Sequence, residues 1–400
     1  MAMRIAIDYT PATSQRAGIG RYTRGLVHAL GKVDRENLYT LLIVGRSRQK
    51  TMSSAANYAE LAPPPGTSNF DARRSASLPA NFRHRRVRLP YRLLTIVWHR
   101  LRLPFPAEAL TGPADLFHSP DFVLPPLRRA RGLITVHDLA FLRVPACADP
   151  RLRSYLAEVV PRSVARSDHI LADSESTRRD LIELLGTPPQ RITVVPAGVD
   201  PSFRPHPSPD ELRRASRRYN LEKPFILSLG TIEPRKNYVR LIEAHALLRD
   251  RLTHAPHLLI AGTRGWLYED IFSEARLRGG EAVRFLGFVP DEDLPALYAQ
   301  AQLFAFPSLY EGFGLPPLEA MACGTPVVCS DRSSLPEIVG DAALMVDAED
   351  AFALAAAMQR TLEEEGLRAR MIARGLARAR LFTWEEAARK LRAAYQESLQ

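Results

Sequence analysis

Short apolar segments alternate with longer amphipathic segments along most of the chain, and this alternation restricts the possible folds more than any other feature. Near-continuous apolar segments are typical of strands that a parallel sheet buries on both faces. We interpret the intervening segments, such as Ile19–Lys32, Asn237–Arg251 and Leu294–Ala301, as helices. The predicted strands are Arg4–Asp8, Leu38–Val44, Leu133–Val136, His169–Ala172, Phe225–Leu229, His257–Ala261, Leu303–Phe306 and Val327–Val328. Repeated strand–helix–strand units predict an α/β fold with doubly wound parallel sheets.

A proline-rich segment divides this alternation into two parts. Pro201–Pro209 has four prolines in nine residues, which excludes the interior of a helix and a central strand. At ~100–200 residues per domain, a chain of 400 residues has room for two or three domains. We therefore predict two domains of nearly equal size, 1–200 and 223–380, joined by a linker at 201–222. Residues 51–80 contain few large apolar side chains, which predicts a long mobile loop in the first domain.

The chain is basic, and part of its positive charge is concentrated in one segment. Lysine and arginine exceed the acidic residues by ten, which favours nucleic acid, anionic membranes or phosphorylated substrates as partners. Phe82–Pro106 contains seven arginines and no acidic residue. If Tyr91–Arg102 is helical, its polar stripe consists of Arg92, Thr95, His99 and Arg102, and its apolar arc consists of Tyr91, Leu93, Leu94, Val97, Trp98 and Leu101. Such a helix either lies on an anionic membrane or packs its apolar arc onto the first sheet.

Cysteine content and hydropathy bear on the cellular compartment. The chain has three cysteines, Cys147, Cys323 and Cys329, without the spacing of a zinc site. This argues against a disulfide scaffold and favours a reducing compartment. No apolar stretch approaches the ~18 residues that a membrane-spanning helix needs. The expectation is a cytoplasmic protein, either soluble or peripheral on the inner face of the membrane.

The segment after the predicted strand Leu303–Phe306 has the pattern of an anion-binding turn. Gly312 and Gly314 allow a tight turn, and a helix is predicted from Leu315 to just before Gly324. The free N–H groups and the dipole of this helix start favour a phosphate. Glu319 lies ~6 Å further along the helix axis, close enough to accept hydrogen bonds from sugar hydroxyls, and Glu311 lies on the other side of the turn. The alternative is that both glutamates are ordinary solvated acids at a helix start.

This segment also resembles a known family. Glu311 and Glu319, followed by Ala-Met-Ala-Cys-Gly-Thr-Pro-Val-Val, resemble the nucleotide-sugar motif of retaining GT-B glycosyltransferases, specifically glycosyl transferases family 4. The resemblance extends to residues 18–22, 137–139, 195–200, 230–237, 286–289 and 334–337. It implies two Rossmann-like domains that face each other across a cleft. The N-terminal domain would lie on the acceptor side, the C-terminal domain would bind the nucleotide sugar, and a helix at 381–400 would cross back to the first domain.

The resemblance implies that the chain transfers a hexose, with retention, from a nucleotide diphosphate sugar to a hydroxyl of a glycan or lipid-linked acceptor. GDP-mannose is the favoured donor, and UDP- and dTDP-sugars remain alternatives. Lys236, with Arg235 beside it, would neutralise the departing diphosphate. Glu319 would bind the ribose, and Glu311 would hold hydroxyls of the transferred sugar. Backbone N–H groups of Gly312, Phe313, Gly314 and Leu315 would bind the phosphates and the donor sugar.

Two motifs in the first half are implied to complete the site. Gly18 and Gly20 follow the first strand and would form a second backbone wall around the diphosphate. His137 follows the predicted strand Leu133–Val136, at the carboxyl end where ligands bind in open α/β sheets. It would contact the donor sugar near the anomeric carbon, while Asp138 orients the local backbone. The alternative is that His137 is a structural residue at a strand end.

Metal-dependent transfer and other functions are alternatives to this interpretation. Asp291-Glu292-Asp293 matches the Asp-x-Asp signature of metal-dependent transferases, but we predict that it caps the helix at Leu294–Ala301. Neither a metal nor another cofactor is therefore expected. The alternative functions are a nucleotide-sugar epimerase of the same fold, a phosphorylase with a lysine for pyridoxal phosphate, and a basic nucleic-acid binder without enzymatic activity. No nucleic-acid signature supports the last of these.

Overall fold

The computed structural model describes residues 2–15, 18–45 and 78–399, and it contains two compact units. The first unit comprises the described residues of Met1–Leu139, Arg151–Gly198 and Thr383–Gln400. The second unit comprises Ala140–Pro150 and Val199–Phe382. The predicted mobile loop at 51–80 lies outside the described residues, apart from residues 78–80.

In the described part of the first unit, seven parallel strands form one sheet in the order β3-β2-β1-β4-β5-β6-β7. The strands are β1 (Arg4–Asp8), β2 (Leu38–Val44), β3 (Phe82–Val87), β4 (Leu116–Ser119), β5 (Arg131–Val136), β6 (His169–Ala172) and β7 (Ile192–Val194). Ile5, Ala6 and Ile7 of β1 are buried, as expected for a strand covered on both faces. The strand order reverses between β1 and β4, and open α/β sheets bind ligands beyond the carboxyl ends of such a pair.

The second unit has a six-stranded parallel sheet in the order β10-β9-β8-β11-β12-β13. Its strands are β8 (Phe225–Leu229), β9 (His257–Ala261), β10 (Val283–Gly287), β11 (Leu303–Phe306), β12 (Val327–Ser330) and β13 (Ala343–Val346). The order reverses between β8 and β11. Sequence analysis placed its motifs directly after these two strands, so the two motif-bearing loops meet at one edge of this sheet.

The helices cover the faces of the two sheets. They are α1 (Thr10–Ser14), α2 (Ile19–Val33), α3 (Tyr91–Thr95), α4 (Glu108–Thr111), α5 (Ala140–Arg143), α6 (Pro150–Arg166), α7 (Glu175–Leu185), α8 (Pro209–Tyr219), α9 (Tyr238–Arg251), α10 (Glu269–Glu274), α11 (Leu294–Gln300), α12 (Leu315–Ala322), α13 (Leu335–Val339), α14 (Ala351–Glu363), α15 (Glu365–Ala379) and α16 (Trp384–Glu397). Helix α16 belongs to the first unit and packs against α2. A Cβ atom on Gly25 of α2 would lie 2.4 Å from the Trp384 ring, so only glycine allows this close approach.

The segment predicted as a linker contains helix α8 and belongs to the second unit. Pro209 is the first residue of α8, where the N–H group that proline lacks is not needed. Ser208 and Glu211 form a capping box at this helix start. The proline-rich composition therefore excludes regular structure only at 201–208.

Asp293, directly before α11, fixes α8 to the rest of the second unit. Its buried carboxylate accepts hydrogen bonds from Arg214 Nε at 2.9 Å, Arg218 Nη1 at 3.0 Å and the Tyr219 hydroxyl at 2.9 Å. The predicted role of this side chain as the cap of α11 is wrong, since it makes no capping hydrogen bond there. The carboxylate instead accepts hydrogen bonds from Arg214 and Arg218 of α8.

We expect Asp293→Ala to lower the free energy of unfolding by about 2 kcal/mol, because it removes a buried acceptor of charge-assisted hydrogen bonds. Both arginines are almost half exposed, so water solvates them after the loss and limits the cost. Chemical denaturation measures the change. Glu292→Ala, at the exposed neighbouring position, is the control and should change stability by less than about 0.5 kcal/mol. Equal losses in both variants would show that Asp293 is not the anchor.

Candidate functional site

The candidate site of the second unit lies where the loops after β8 and β11 meet. Gly230 directly follows β8 with φ 156°, and a Cβ atom there would lie 3.0 Å from Lys236 Cε. The chain then makes a short helical turn at Pro234–Lys236, and Asn237 adopts φ 58° before α9. The Asn237 side chain donates to the carbonyl oxygens of Pro307 at 3.1 Å and Ala348 at 2.7 Å. The bond to Pro307 fixes the first loop to the second, and the bond to Ala348 fixes it to the segment after β13.

Two cations and two carboxylates meet at this point, and we call them the four-charge cluster: Glu233, Arg235, Lys236 and Glu311. Lys236 Nζ lies 2.6 Å from Glu311 Oε1, and Arg235 Nη1 lies 3.1 Å from Glu311 Oε2. Arg235 also pairs with Glu233 at 2.8 Å and donates to the Tyr310 carbonyl at 2.8 Å. Lys236 is 9% exposed and Glu311 is 7% exposed, so water screens these charges weakly. The structure thus brings together three of the predicted site residues.

The two cations of the cluster keep the Glu311 carboxylate ionised. Burial alone would raise the pKa of Glu311, but the Lys236 ammonium and the Arg235 guanidinium outweigh burial and hold that pKa below its ordinary value. Glu311 is therefore ionised at neutral pH. The Lys236 ammonium also lies 5.0 Å from the centre of the Phe306 ring, within cation–π distance. A lysine held in this way can donate to an anionic oxygen, and the carboxylate beside it can accept from hydroxyl groups.

The predicted glycine turn lies directly after Glu311. Gly314 has φ 111° at the start of α12, and a Cβ atom there would lie 2.9 Å from Leu335 Cδ2, so this position requires glycine. Gly312 does not have a positive φ, and its predicted close approach to a ligand stays a prediction. Phe313 is buried with its ring 5.8 Å from the Phe382 ring, and Leu315 begins the helix as predicted. Gly314 is therefore the position of this turn whose backbone conformation requires glycine.

Two serines that sequence analysis did not single out hold this turn. Ser333 Oγ accepts from the Glu311 N–H at 2.7 Å. Ser334 Oγ lies 2.9 Å from the Glu311 carbonyl and 2.7 Å from that of Phe313 and donates towards them. Ser333 has φ 52°, unusual for a residue other than glycine. Ser334 belongs to a segment that resembles the family, but the sequence does not reveal what its hydroxyl contacts.

Glu319 lies in α12 and is 1% exposed, and its carboxylate accepts a hydrogen bond from the Tyr298 hydroxyl at 3.2 Å. Because Glu311 and Glu319 are both buried, the alternative that they are ordinary solvated acids is wrong. The predicted contact of Glu319 with the ribose stays a prediction.

In the first unit, His137 lies after β5 and is bonded through both ring nitrogens. Nδ1 is 2.7 Å from Asp173 Oδ2, and Nε2 is 2.9 Å from the Pro120 carbonyl oxygen. The Pro120 carbonyl can only accept, so Nε2 carries a proton, and Nδ1 carries one as well when it faces an ionised Asp173 carboxylate. Burial alone would lower the pKa of His137, but the Asp173 carboxylate outweighs it and raises that pKa to about 9. His137 is thus a buried imidazolium, and half-buried Asp138 follows it.

Gly18 and Gly20 shape the start of α2 in the first unit. Gly18 precedes the helix with φ 54°. A Cβ atom on Gly20 would lie 1.9 Å from the Gln15 carbonyl oxygen, which no side chain tolerates. Both glycines therefore have a backbone role, and their predicted contact with a diphosphate remains a prediction.

Two acidic residues escaped sequence analysis. Asp8 ends β1 and Asp121 follows β4, the two strands between which the order of the first sheet reverses. Burial raises the pKa of Asp8 to about 6 and also raises that of Asp121. Asp8 accepts from the Thr10 N–H at 3.0 Å, and Asp121 accepts from Gln15 Nε2 at 3.3 Å. The signal for Asp8 was its position directly after the apolar residues Ile5, Ala6 and Ile7, whereas Asp121 follows His118-Ser119-Pro120 and had no such signal.

The described residues contain no group of three or more histidine, cysteine, aspartate or glutamate side chains that could hold a metal ion. None of their helices has the length and apolar composition needed to cross a bilayer.

Comparison with protein families assigns both halves of the chain. The family described as glycosyl transferases group 1 matches residues 210–378, and glycosyltransferase family 4 matches residues 17–203. The O-antigen chain mannosyltransferase B of Escherichia coli is 36% identical over 395 residues, which cover 96% of this chain and 97% of that protein.

Solved structures share the fold at lower identity. The sucrose-phosphate synthase of Thermosynechococcus elongatus has a TM-score of 0.70 and 22% identity over 98% of each chain. HepE from Anabaena, solved with UDP-glucose, has a TM-score of 0.70 and 17% identity over 99% of this chain and 100% of that one. At these identities the two structures show that the fold is shared.

Proposed function

This chain belongs to the glycosyl transferases group 1 and family 4 glycosyltransferases of the GT-B fold, and we propose that it transfers mannose from GDP-mannose to a glycan hydroxyl with retention of configuration. The similarity to an O-antigen mannosyltransferase over nearly the whole of both chains supports the sugar and the polysaccharide context. The observation that carries the proposal is the four-charge cluster at the edge of the second sheet, where a buried lysine lies 2.6 Å from an ionised glutamate.

In the proposed reaction the bond between the anomeric carbon and the diphosphate oxygen breaks, and the acceptor oxygen forms its bond on the same face of the sugar. The acceptor proton passes to the departing phosphate. Lys236 stabilises the charge that grows on the diphosphate, and backbone N–H groups at Gly314 and Leu315 contribute to this. Glu311 holds Lys236 in place and accepts from sugar hydroxyls.

This scheme needs neither a protein base nor a metal ion. The protonation of His137 supports the first point, because an imidazolium with both nitrogens protonated cannot accept a proton. We propose that Lys236 and the start of α12 provide the positive charge that a divalent cation provides in other transferases. We also propose that the protein works in the cytoplasm, at the inner face of the membrane, on a glycan or lipid-linked acceptor.

The donor base is tested by thermal shift with GDP, UDP, ADP and dTDP. A ligand at 100 times its Kd stabilises the folded state by about 2.7 kcal/mol, so we expect GDP to raise the Tm by several degrees at concentrations where the others do not. Stabilisation by UDP or dTDP alone would contradict the GDP assignment.

Incubation with GDP-mannose and a glycan acceptor, followed by NMR of the anomeric proton of the product, tests which sugar is transferred and whether its configuration is retained. Conversion of the donor without acceptor would indicate an epimerase instead.

Cys147 offers a second test of where the nucleotide binds. It lies in segment 140–150 of the second unit, where its carbonyl accepts from Trp266 Nε1 at 2.7 Å. Burial raises the pKa of its thiol, and Arg235 and Glu233 are near enough to act on that pKa as well. We expect GDP to slow alkylation of Cys147 severalfold, while Cys323 and Cys329 stay unreactive because they are buried. Alkylation at an unchanged rate in saturating nucleotide would place the nucleotide elsewhere.

A further inference from the structure

Exposed apolar side chains are concentrated in one short segment of the first unit. Of the twelve large apolar side chains that the described residues expose, five lie between residues 93 and 105. Their exposed fractions are 46% for Leu93, 41% for Ile96, 59% for Leu101, 49% for Leu103 and 38% for Phe105. Single exposed leucines are common on protein surfaces, but a cluster of this size marks an interaction site.

The segment is anchored, so its apolar side chains are presented by an ordered backbone. Helix α3 continues into a wider helical turn at Ile96–Arg100. Leu94 and Trp98 are buried at 3% and 6% exposure, and Trp98 Nε1 donates to the Phe105 carbonyl at 2.8 Å. The Leu103 N–H donates to the Val97 carbonyl at 2.9 Å.

These contacts divide the predicted apolar arc. The sequence placed Leu93, Leu94, Trp98 and Leu101 on one face, for either a membrane or the first sheet. Leu94 and Trp98 point into the protein, whereas Leu93 and Leu101 point out. The apolar arc is therefore buried only in part, and Leu93 and Leu101 remain available to a partner.

Exposed arginines precede and interrupt this segment along the chain. Arg88 and Arg92 are exposed just before residue 93, Arg100 is exposed within the segment, and β3 at the edge of the first sheet exposes Arg83 and Arg86. Arg102 is exposed as well and pairs with Glu158 at 2.9 Å. Phe82–Pro106 supplies no carboxylate of its own to offset this charge. Exposed apolar side chains combined with exposed arginines and no acidic residue are complementary to an anionic lipid surface.

We propose that the exposed side chains of residues 93–105 and the exposed arginines of Phe82–Pro106 form a docking surface for an anionic bilayer. Leu101, Leu103 and Phe105 enter the boundary between headgroups and acyl chains, and the arginines contact the headgroups. A second copy of the chain fits this surface less well, because a twofold contact would place arginines against arginines. The inference rests on the proposed function where it names the surface that meets a lipid-linked acceptor, but lipid binding is measurable without donor or acceptor.

Cosedimentation of the full chain with vesicles tests the proposal. We expect binding to vesicles of phosphatidylcholine with phosphatidylglycerol and not to phosphatidylcholine alone. Binding should weaken between ~0.1 M and ~1 M salt, because the Debye length falls from ~10 Å to ~3 Å. Leu101→Ser combined with Leu103→Ser should lower partitioning onto the vesicles at least tenfold, since each substitution removes an apolar side chain that enters the bilayer. Arg88→Glu with Arg100→Glu should lower it by at least about 25-fold, at about fivefold for each lost arginine.

Leu277→Ser is the matched control, because Leu277 is 77% exposed in the second unit and should not affect partitioning. All variants should keep the wild-type Tm and the wild-type transfer rate to a soluble acceptor. Three results would overturn the proposal: no binding to anionic vesicles at low salt, binding that Leu101→Ser with Leu103→Ser leaves unchanged, or a wild-type dimer that this double variant dissociates. None of these outcomes depends on whether the enzyme uses GDP-mannose, so a failure here is separate from a failure of the proposed function.

Discussion

Replacing Lys236 by methionine is expected to lower kcat for mannosyl transfer by about 10²–10³-fold, the effect of removing one preorganised donor to a developing anion. Methionine keeps most of the length of the side chain and removes the ammonium that lies 2.6 Å from Glu311. The KM for the donor should change less than kcat, because charge on the diphosphate is greatest in the transition state. Steady-state kinetics with saturating acceptor separate the two parameters.

The variant should fold, because Arg235 still pairs with Glu311 at 3.1 Å and keeps that carboxylate from being left alone. Lys223→Met is the control, since Lys223 is an exposed lysine of the same unit and should leave kcat unchanged. If the Lys236 variant is folded and its kcat stays within about twofold of wild type, Lys236 does not act on the leaving group.

The parts of the fold that depend on apolar patterning could be predicted from the sequence. Strands such as β1, β2 and β6 lie at the predicted residues, because strands buried on both faces are nearly all apolar. The parallel-sheet rule also placed Lys236 and Glu311 at one edge, since both follow strands of the same sheet. The rule locates the residues but not their partners.

Which side chains contact the predicted site residues depends on strand register and on contacts between segments that are distant in the sequence. Val136 pairs with Ala172 across β5 and β6, which places the next residues, His137 and Asp173, side by side. Both predicted strands ended at the right residues, so a pairing between them would have revealed the aspartate. The contact of Asp293 with α8 had no such signal, because the proline-rich composition concealed the helix that supplies its partners.

Protonation of His137 is expected to stabilise the fold below about pH 6.5 and to lose this effect as the pH rises through about 9. The folded pKa lies above the ordinary value of about 6.5, so between the two values the folded protein binds more protons than the unfolded chain and stability falls with rising pH. A shift of this size corresponds to about 3 kcal/mol for a group as buried as this one. Chemical denaturation at a series of pH values measures the slope.

The change of unfolding free energy with pH can be attributed to His137 only if it disappears when the pair of His137 and Asp173 is removed. The difference in the free energy of unfolding between wild type and His137→Gln should therefore shrink by about 3 kcal/mol from about pH 6.5 to about pH 9.5. Asp173→Asn should flatten the profile in the same way, since it removes the carboxylate that raises the pKa of His137 and keeps an acceptor 2.7 Å away. His254→Gln, at an exposed position, should leave the wild-type slope intact. A difference that stays constant or grows with pH would mean that His137 is neutral and that its pair with Asp173 carries no net charge effect on stability.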